Sequence, residues 1–454
     1  MEFVVVLVVF ILAMIGLTRP YIGLLALLIV MDLDPGELYP QLAPLHLERV
    51  TAALLLIAFL VNGGKFRFPK PTRWFLAFYG AMIVSIPLAF WRANSVASCI
   101  WFLETVALVL FITALLTTED RIRWFLLTYV VLVDWLGGSA LWNYEHGIWQ
   151  VTMHIERAIG ITNSAGDPDS LAITLLLTIP LCLALMVRSN PVWMRVVAGC
   201  SIGIFLVTIV DTGSRAAASG VLLLILLVLF RKPKNLFFLP VLVALAPLVW
   251  MVIPQQYKAR YETVDHLKTD ESYQNRILSW EGGIAMFESN PITGIGPGNY
   301  TVANGMRFWP GNGRKTFLNA HSLYFKLLGE LGLVGIFTFG GYLICVFRMN
   351  FRVRKELLAH ETSSFLRTLP AMFNIILCLL LFDGYAAHNL YRDNWYIVGA
   401  MVACLSLLPV LQEPVTVTDP SQPELTGSTE AVPDWSPALL PVLRRQVPTQ
   451  APRA

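Results

Sequence analysis

His321 opens HSLYFKLLGELG, residues 321–332, where Lys326 and Glu330 follow it at the mouth of an apolar run. An imidazole with an ordinary pKa near about 6.5 takes a proton from a hydroxyl at neutral pH; it equally caps a helix at an interface. On an unbroken helix, eleven positions bring Gly332 to within about 20° of His321 and leave Lys326 and Glu330 about 140° and 180° away. That phase predicts a small-residue track of Gly329, Gly332 and Gly335 beneath the histidine, and a Lys326–Glu330 ion pair on the far side. Two arginines add anion chemistry. Arg215 ends DTGSR between two apolar runs, and Arg276 stands one turn before Trp280 in QNRILSWEGGIAMFES. A guanidinium fork suits a phosphate, while Arg215 also has Asp211 as an i,i+4 partner if one helix runs through both.

Two further segments carry polar groups. RAIGITNSAGDPDS holds Arg157, Asn163, Asp167 and Asp169; the two aspartates have the spacing of a DxD metal motif, but Asp169 and Ser170 directly precede an apolar helix and suit its N-cap. AAHNLYRDN places His388 and Arg392 four apart. Glu104, Asp134 and Asp383 fall within apolar runs, so they face the protein interior, either as relay groups or as paired structural residues. The six cysteines lie in or beside apolar runs with no metal or disulfide spacing, and neither a metal nor a cofactor is expected.

The elements that position these residues are membrane helices. Of 454 residues, 56% are apolar and only 14% charged, with a mean hydropathy of +0.63, which excludes an ordinary soluble domain. Apolar runs at about 3–17, 21–31, 49–62, 74–91, 98–117, 124–142, 170–187, 196–211, 214–230, 236–253, 322–347, 369–386 and 395–411 predict an all-α polytopic bundle of about 12–13 transmembrane helices. The first run, lacking a basic start and a small-residue cleavage site, reads as a retained span. Basic residues recur in alternate loops: Lys65 to Arg73, Arg121 and Arg123, Arg188 and Arg195, Arg231 to Lys234, and Arg348 to Lys355. By the positive-inside preference those loops are cytoplasmic, which puts 143–169, 211–214, 254–320 and 387–394 outside. Within the long outer loop, Ile277, Trp280, Ile284 and Phe287 predict an amphipathic helix, and PITGIGPGNY a tight irregular turn that lacks the ending of a nucleotide phosphate loop. The proline-rich segment 412–454 reads as a disordered cytoplasmic tail. The chain divides into N-terminal helices 1–150, a core 151–411 containing the loop 254–320, and the tail 412–454.

These elements together resemble the O-antigen ligase and polymerase superfamily of bacterial envelope glycosyltransferases. The ligases' pattern of His, then Asn, Ser or Gln, nine residues, Gly, two residues and a small residue is met by His321, Ser322, Gly332 and Gly335; TGSRAA and SYQNRILSWEGGIAMFESNPITGIGPGNY look like the segments bearing the family's two arginines. The resemblance spans about residues 150–410. It implies an inverting, metal-independent transfer of a glycan from a polyprenyl (undecaprenyl) diphosphate carrier to an acceptor hydroxyl at the periplasmic face of the inner membrane. His321 would be the base, Arg276 and Arg215 the diphosphate clamp, and Arg157, Asn163, Trp280, His388 and Arg392 substrate contacts. The acceptor would be lipid A-core, a growing glycan in a polymerase, or a pilin-like protein, with membrane lipid as the further partner and no nucleic acid. A secondary transporter, with ion sites at Glu104, Asp134 and Asp383, would require broken helices and repeated halves.

Overall fold

The computed structural model describes residues 2–152, 155–161, 166–231, 234, 237, 240, 271–311 and 316–412. Among them the chain is helical. In order come α1 (Glu2–Thr18), α2 (Pro20–Leu33), α3 (Leu47–Val61), α4 (Lys70–Ser85), α5 (Arg92–Leu115) and α6 (Glu119–Glu145); then α7 (Pro168–Leu185), α8 (Val192–Asp211), α9 (Arg215–Phe230), α10 (Glu271–Ser289), α11 (Tyr300–Met306), α12 (Leu323–Ala359), α13 (Ser364–Asp383) and α14 (Asp393–Ser406). One small antiparallel hairpin, β1 (Gln150–Thr152) and β2 (Ile155–Arg157), follows α6, with Val151 opposite Glu156. Among the described residues, seven helices are long and apolar enough to cross a membrane: α3 with its preceding turn, α5, α6, α7, α8, α12 and α13. The shorter α2 and α9 are apolar as well. The expected span 236–253 lies almost wholly outside the described residues, as do residues 254–270 of the outer loop and the tail from 413.

Polar residues set the helix starts. Thr118, Asp167, Ser214 and Ser363 accept hydrogen bonds from the backbone N–H groups of Arg121, Ser170, Ala217 and Leu366, satisfying donors that a helix start leaves unpaired. Asp167, rather than Asp169, is therefore the cap of α7. Gly213, at φ 58°, separates α8 from α9, so Asp211 and Arg215 do not share one helix.

The bundle core is aromatic where α4, α5, α12 and α14 meet. Phe75 and Phe78 pack on Phe102, Tyr342, Phe339 and Tyr396 with ring centroids 4.8–6.2 Å apart. Tyr342 satisfies its hydroxyl by donating to the Trp395 carbonyl at 2.8 Å, as a buried phenol requires.

α12 is broken. Gly332 has φ 57° and ψ −150°, a conformation open essentially to glycine alone. The tight turn after α10 inserts at the break: Leu333 and Val334 donate to the carbonyls of Pro291 and Ile292 at 2.9 and 3.0 Å, and Ile295 and Gly296 donate to those of Gly329 and Glu330 at 3.0 and 2.9 Å. The backbone groups freed by the break are thus bonded, as a low-dielectric setting demands. The same turn docks on the start of α5, where Asn94 donates to the Gly298 carbonyl at 2.7 Å and Ser95 to the Pro297 carbonyl at 3.1 Å. The predicted continuous glycine track is therefore wrong. Gly332 admits a crossing loop, not a neighbouring helix.

The helices alternate in direction, so the two ends of the bundle differ. At one end Arg123 donates to Asn190, Ser363 to Glu119 and Ser364 to Ser189, so the basic segments at Arg121–Arg123 and Arg188–Arg195 meet here. At the other end the Ala158 N–H donates to the Asp211 carbonyl at 2.9 Å, Arg392 reaches α7, and Ser322 meets the end of α13.

Candidate active site

His321 sits at the end away from the basic loops, between two clamps. Before it, Ser279 and Trp280 of α10 donate to the carbonyls of Asn319 and Ala320 at 2.8 and 3.0 Å. After it, the Ser322 hydroxyl and the Leu323 N–H donate to the Gly384 carbonyl at 3.2 and 2.7 Å. The chain turns between these clamps with His321 at φ 42°, a left-handed conformation that costs a non-glycine residue about 1–2 kcal/mol. Such strain persists where the surroundings over-determine it, and it concentrates at functional sites.

The side chain is accessible to solvent yet closely flanked. Partial burial lowers its pKa below 6.5, the Arg276 cation lowers it further, and Asp167 and Asp169 oppose them. A neutral imidazole results, ready to accept a proton. His388 lies beside it, ring centroids 5.6 Å apart and edge to face at 82°. Burial, followed by the charge of Lys326, holds His388 well below its ordinary value.

α10 forms where an amphipathic helix was expected, with its small-residue face against the bundle. Ser279, Gly282, Gly283 and Met286 point inward, and Ile284 is exposed. The reason is close approach: a Cβ on Gly283 would lie 2.5 Å from the Tyr300 hydroxyl oxygen. Trp280 is half-buried, stacked on Phe325 at 5.0 Å and 12°, and it braces the segment leading into His321. Arg276, one turn earlier and half-buried, exerts its charge on both His321 and Asp383.

Arg215 starts α9 and is half-buried; its neighbours Ala216 and Ser219 line a cavity of about 430 Å³ whose far wall carries Tyr324 and Asp383. Arg157 is buried, donating from Nε to the Thr212 carbonyl at 2.6 Å and from a terminal nitrogen to Asp169 at 2.8 Å. It locks β2 to the turn that carries Arg215. Arg392 donates to Thr174 and to the Ser170 carbonyl at 2.9 and 3.0 Å, joining the last loop to α7. Asn163 lies outside the described residues.

Glu330 does not pair with Lys326. Its carboxylate accepts from the Tyr300 N–H at 3.1 Å and the Tyr391 hydroxyl at 2.7 Å, while the Lys326 ammonium lies 5.2 Å from the Tyr391 ring centroid and its charge reaches both histidines. The helix-phase reading placed it on the wrong side. The acids inside the helices have local partners: Glu104 with Arg49 at 3.3 Å, Asp134 with Ser201 at 2.6 Å, and Asp383 with Asn389 at 3.0 Å. α12 has the break a transporter would show, but a loop seals it. Among the described residues, no three of His, Cys, Asp and Glu gather as a metal site.

The segment holding Arg215, Arg276, His321 and the Gly332 break, residues 200–340, matches the family model described as O-antigen ligase. Residues 200–340 are thus similar to the O-antigen ligase family. That supports an O-antigen ligase-like, glycosyltransferase-type function in general for this multi-pass membrane protein. No curated protein matches the chain. The O-antigen ligase match runs from within α8 to near the middle of α12, and leaves Arg157, Asp383, His388 and Arg392 to be read from the structure.

Proposed function

We propose that the protein transfers a glycan from a polyprenyl diphosphate carrier to an acceptor hydroxyl, with lipid A-core as the preferred acceptor, at the extracytoplasmic face of the inner membrane. The observation that carries this reading is His321 itself: a strained, neutral imidazole fixed between α10 and α13, next to Arg276, at the end opposite the basic loops.

The acceptor oxygen attacks the anomeric carbon, its proton passes to His321, and the bond from that carbon to the diphosphate oxygen breaks with inversion. Negative charge grows on the departing diphosphate. Arg276 and Arg215 stabilise it in a site of low dielectric, where fixed cations act most strongly. Trp280 and Arg157 serve this chemistry by holding the His321 and Arg215 segments, and Arg392 by tying the last loop to α7. A lipid-linked glycan as acceptor would make the enzyme a polymerase, and a pilin-like acceptor a protein glycosylating enzyme.

A deletion strain separates these. Loss of long-chain lipopolysaccharide banding together with accumulation of lipid-linked polymer is expected. Capping with single units would indicate a polymerase, and unchanged lipopolysaccharide with a lighter pilin a protein glycosylating enzyme.

A further inference from the structure

Lys326 stands beside the two histidines without a counter-charge. It lies at the N-terminal end of α12, where the helix macrodipole is already positive, so a lysine there is not placed for helix stability. Its ammonium is 5.2 Å from the Tyr391 ring centroid, and that ring is pinned, because the Tyr391 hydroxyl donates to Glu330 at 2.7 Å. Glu330 is 1% exposed, and its other oxygen accepts from the Tyr300 N–H at 3.1 Å. The one acid nearby on α12 is thus taken. Among the described residues the Lys326 ammonium makes no hydrogen bond or ion pair, and it is not closed off from solvent. Its charge reaches His388 and His321, whose rings meet at 5.6 Å.

The two arginines approach His321 from other faces of α12. Tyr324 lines the cavity together with Ala216 and Ser219, which follow Arg215 on α9. Phe325 stacks on Trp280, one turn after Arg276 on α10. At about 100° per residue, Lys326 stands about 200° round the helix from Tyr324 and about 100° from Phe325. It faces Tyr391 and the last outer loop instead. In an inverting displacement the attacking oxygen and the departing oxygen lie on opposite sides of the anomeric carbon. With the diphosphate at Arg215 and Arg276, the space beside Lys326 falls to the acceptor.

We propose that Lys326 binds an anionic group of the acceptor, a phosphate or a carboxylate beside the attacking hydroxyl, and so makes an acidic acceptor the preferred one. The proposal rests on the transfer reading above and names the chemistry by which the acceptor is chosen. An ammonium serves either group as a point charge, with the Tyr391 ring holding it in place. A neutral glycan or an uncharged stretch of polypeptide offers it no counter-charge.

The test uses the full-length protein in lipid nanodiscs at about pH 8, where the histidines are neutral with or without Lys326. Steady-state transfer from the polyprenyl diphosphate-linked glycan to lipid A-core gives separate KM values for donor and acceptor. Lys326→Met is expected to raise the acceptor KM about tenfold, in line with loss of one charge-assisted hydrogen bond, and to leave the donor KM within about twofold. Lys326→Arg should recover most of the loss. Lipid A-core stripped of phosphate with hydrofluoric acid separates the two sources: a wild-type KM that rises to that of Lys326→Met assigns the phosphate, and a persisting gap between the two proteins assigns the carboxylate. A rise in the donor KM, alone or equal to that of the acceptor, would overturn the proposal by adding Lys326 to the diphosphate clamp. Unchanged KM values for both substrates, or a loss that Lys326→Arg does not relieve, would overturn it as well. Failure of the wild type itself to glycosylate lipid A-core would overturn the transfer reading, and the proposal with it, before any variant is compared.

Discussion

His321 combines a left-handed backbone with a pKa lowered first by burial and then by Arg276. The fold therefore favours the neutral ring. Stability contributed by that preference is present at neutral pH and is lost as pH falls below 6.5, where the unfolded chain takes up the proton more readily. Transfer is expected to stay level between about pH 7 and 8 and to fall only as pH drops through the lowered value. Arg276→Gln removes a cation that opposes the imidazolium, so the His321 titration, followed by NMR of ring-labelled protein, should move to higher pH; a titration that stays in place would contradict the coupling. The histidine itself was legible from its motif. Its strain was not, because the clamps come from Trp280 and Gly384, which lie 41 and 63 positions away in the chain.

At the scale of elements, the sequence indicated which runs are helices far better than what each helix faces. α10 was legible from spacing, whereas the inward turn of its small-residue face was not: Gly282 and Gly283 admit Asn304 and Tyr300. α12 misled more deeply. Phase counting from His321 assumes that it lies on the helix, but the helix starts at Leu323 and His321 stands outside it at φ 42°, which voids the count for Lys326 and Glu330. Lys326 bears on His321, Glu330 bonds Tyr300 and Tyr391, and Gly332 breaks the helix further on. Gly332→Ala would place its Cβ 2.6 Å from the Pro291 carbonyl oxygen, whereas one at Gly340 meets nothing within 4 Å. Gly332→Ala is expected to destabilise the protein by at least about 2 kcal/mol and to abolish transfer by displacing both α10 and His321. Gly340→Ala should match wild type in detergent-solubilised unfolding curves. Equal stability of the two variants would remove the crossing loop from the account.

For the whole molecule, composition and basic-loop alternation made the all-α membrane bundle legible, together with the division of its ends. In the structure Arg123, Asn190 and Ser363 meet at one end, and Arg157, Thr212, Ser322 and Gly384 at the other. What the N-terminal helices contribute was not legible, since Asn94 and Ser95 bear no motif and act only by receiving the turn at 297–298. The bundle thus supports the candidate site from both halves of the chain, with α5 fixing the loop that fixes α10 and α12. The central claim is that His321 takes the acceptor's proton in this frame. Its most direct test is single-turnover transfer of glycan from a polyprenyl diphosphate donor to lipid A-core by the purified protein and its His321→Ala variant. Product from the wild type and none above background from a folded, membrane-inserted variant is the predicted result; near-normal turnover by His321→Ala would contradict it.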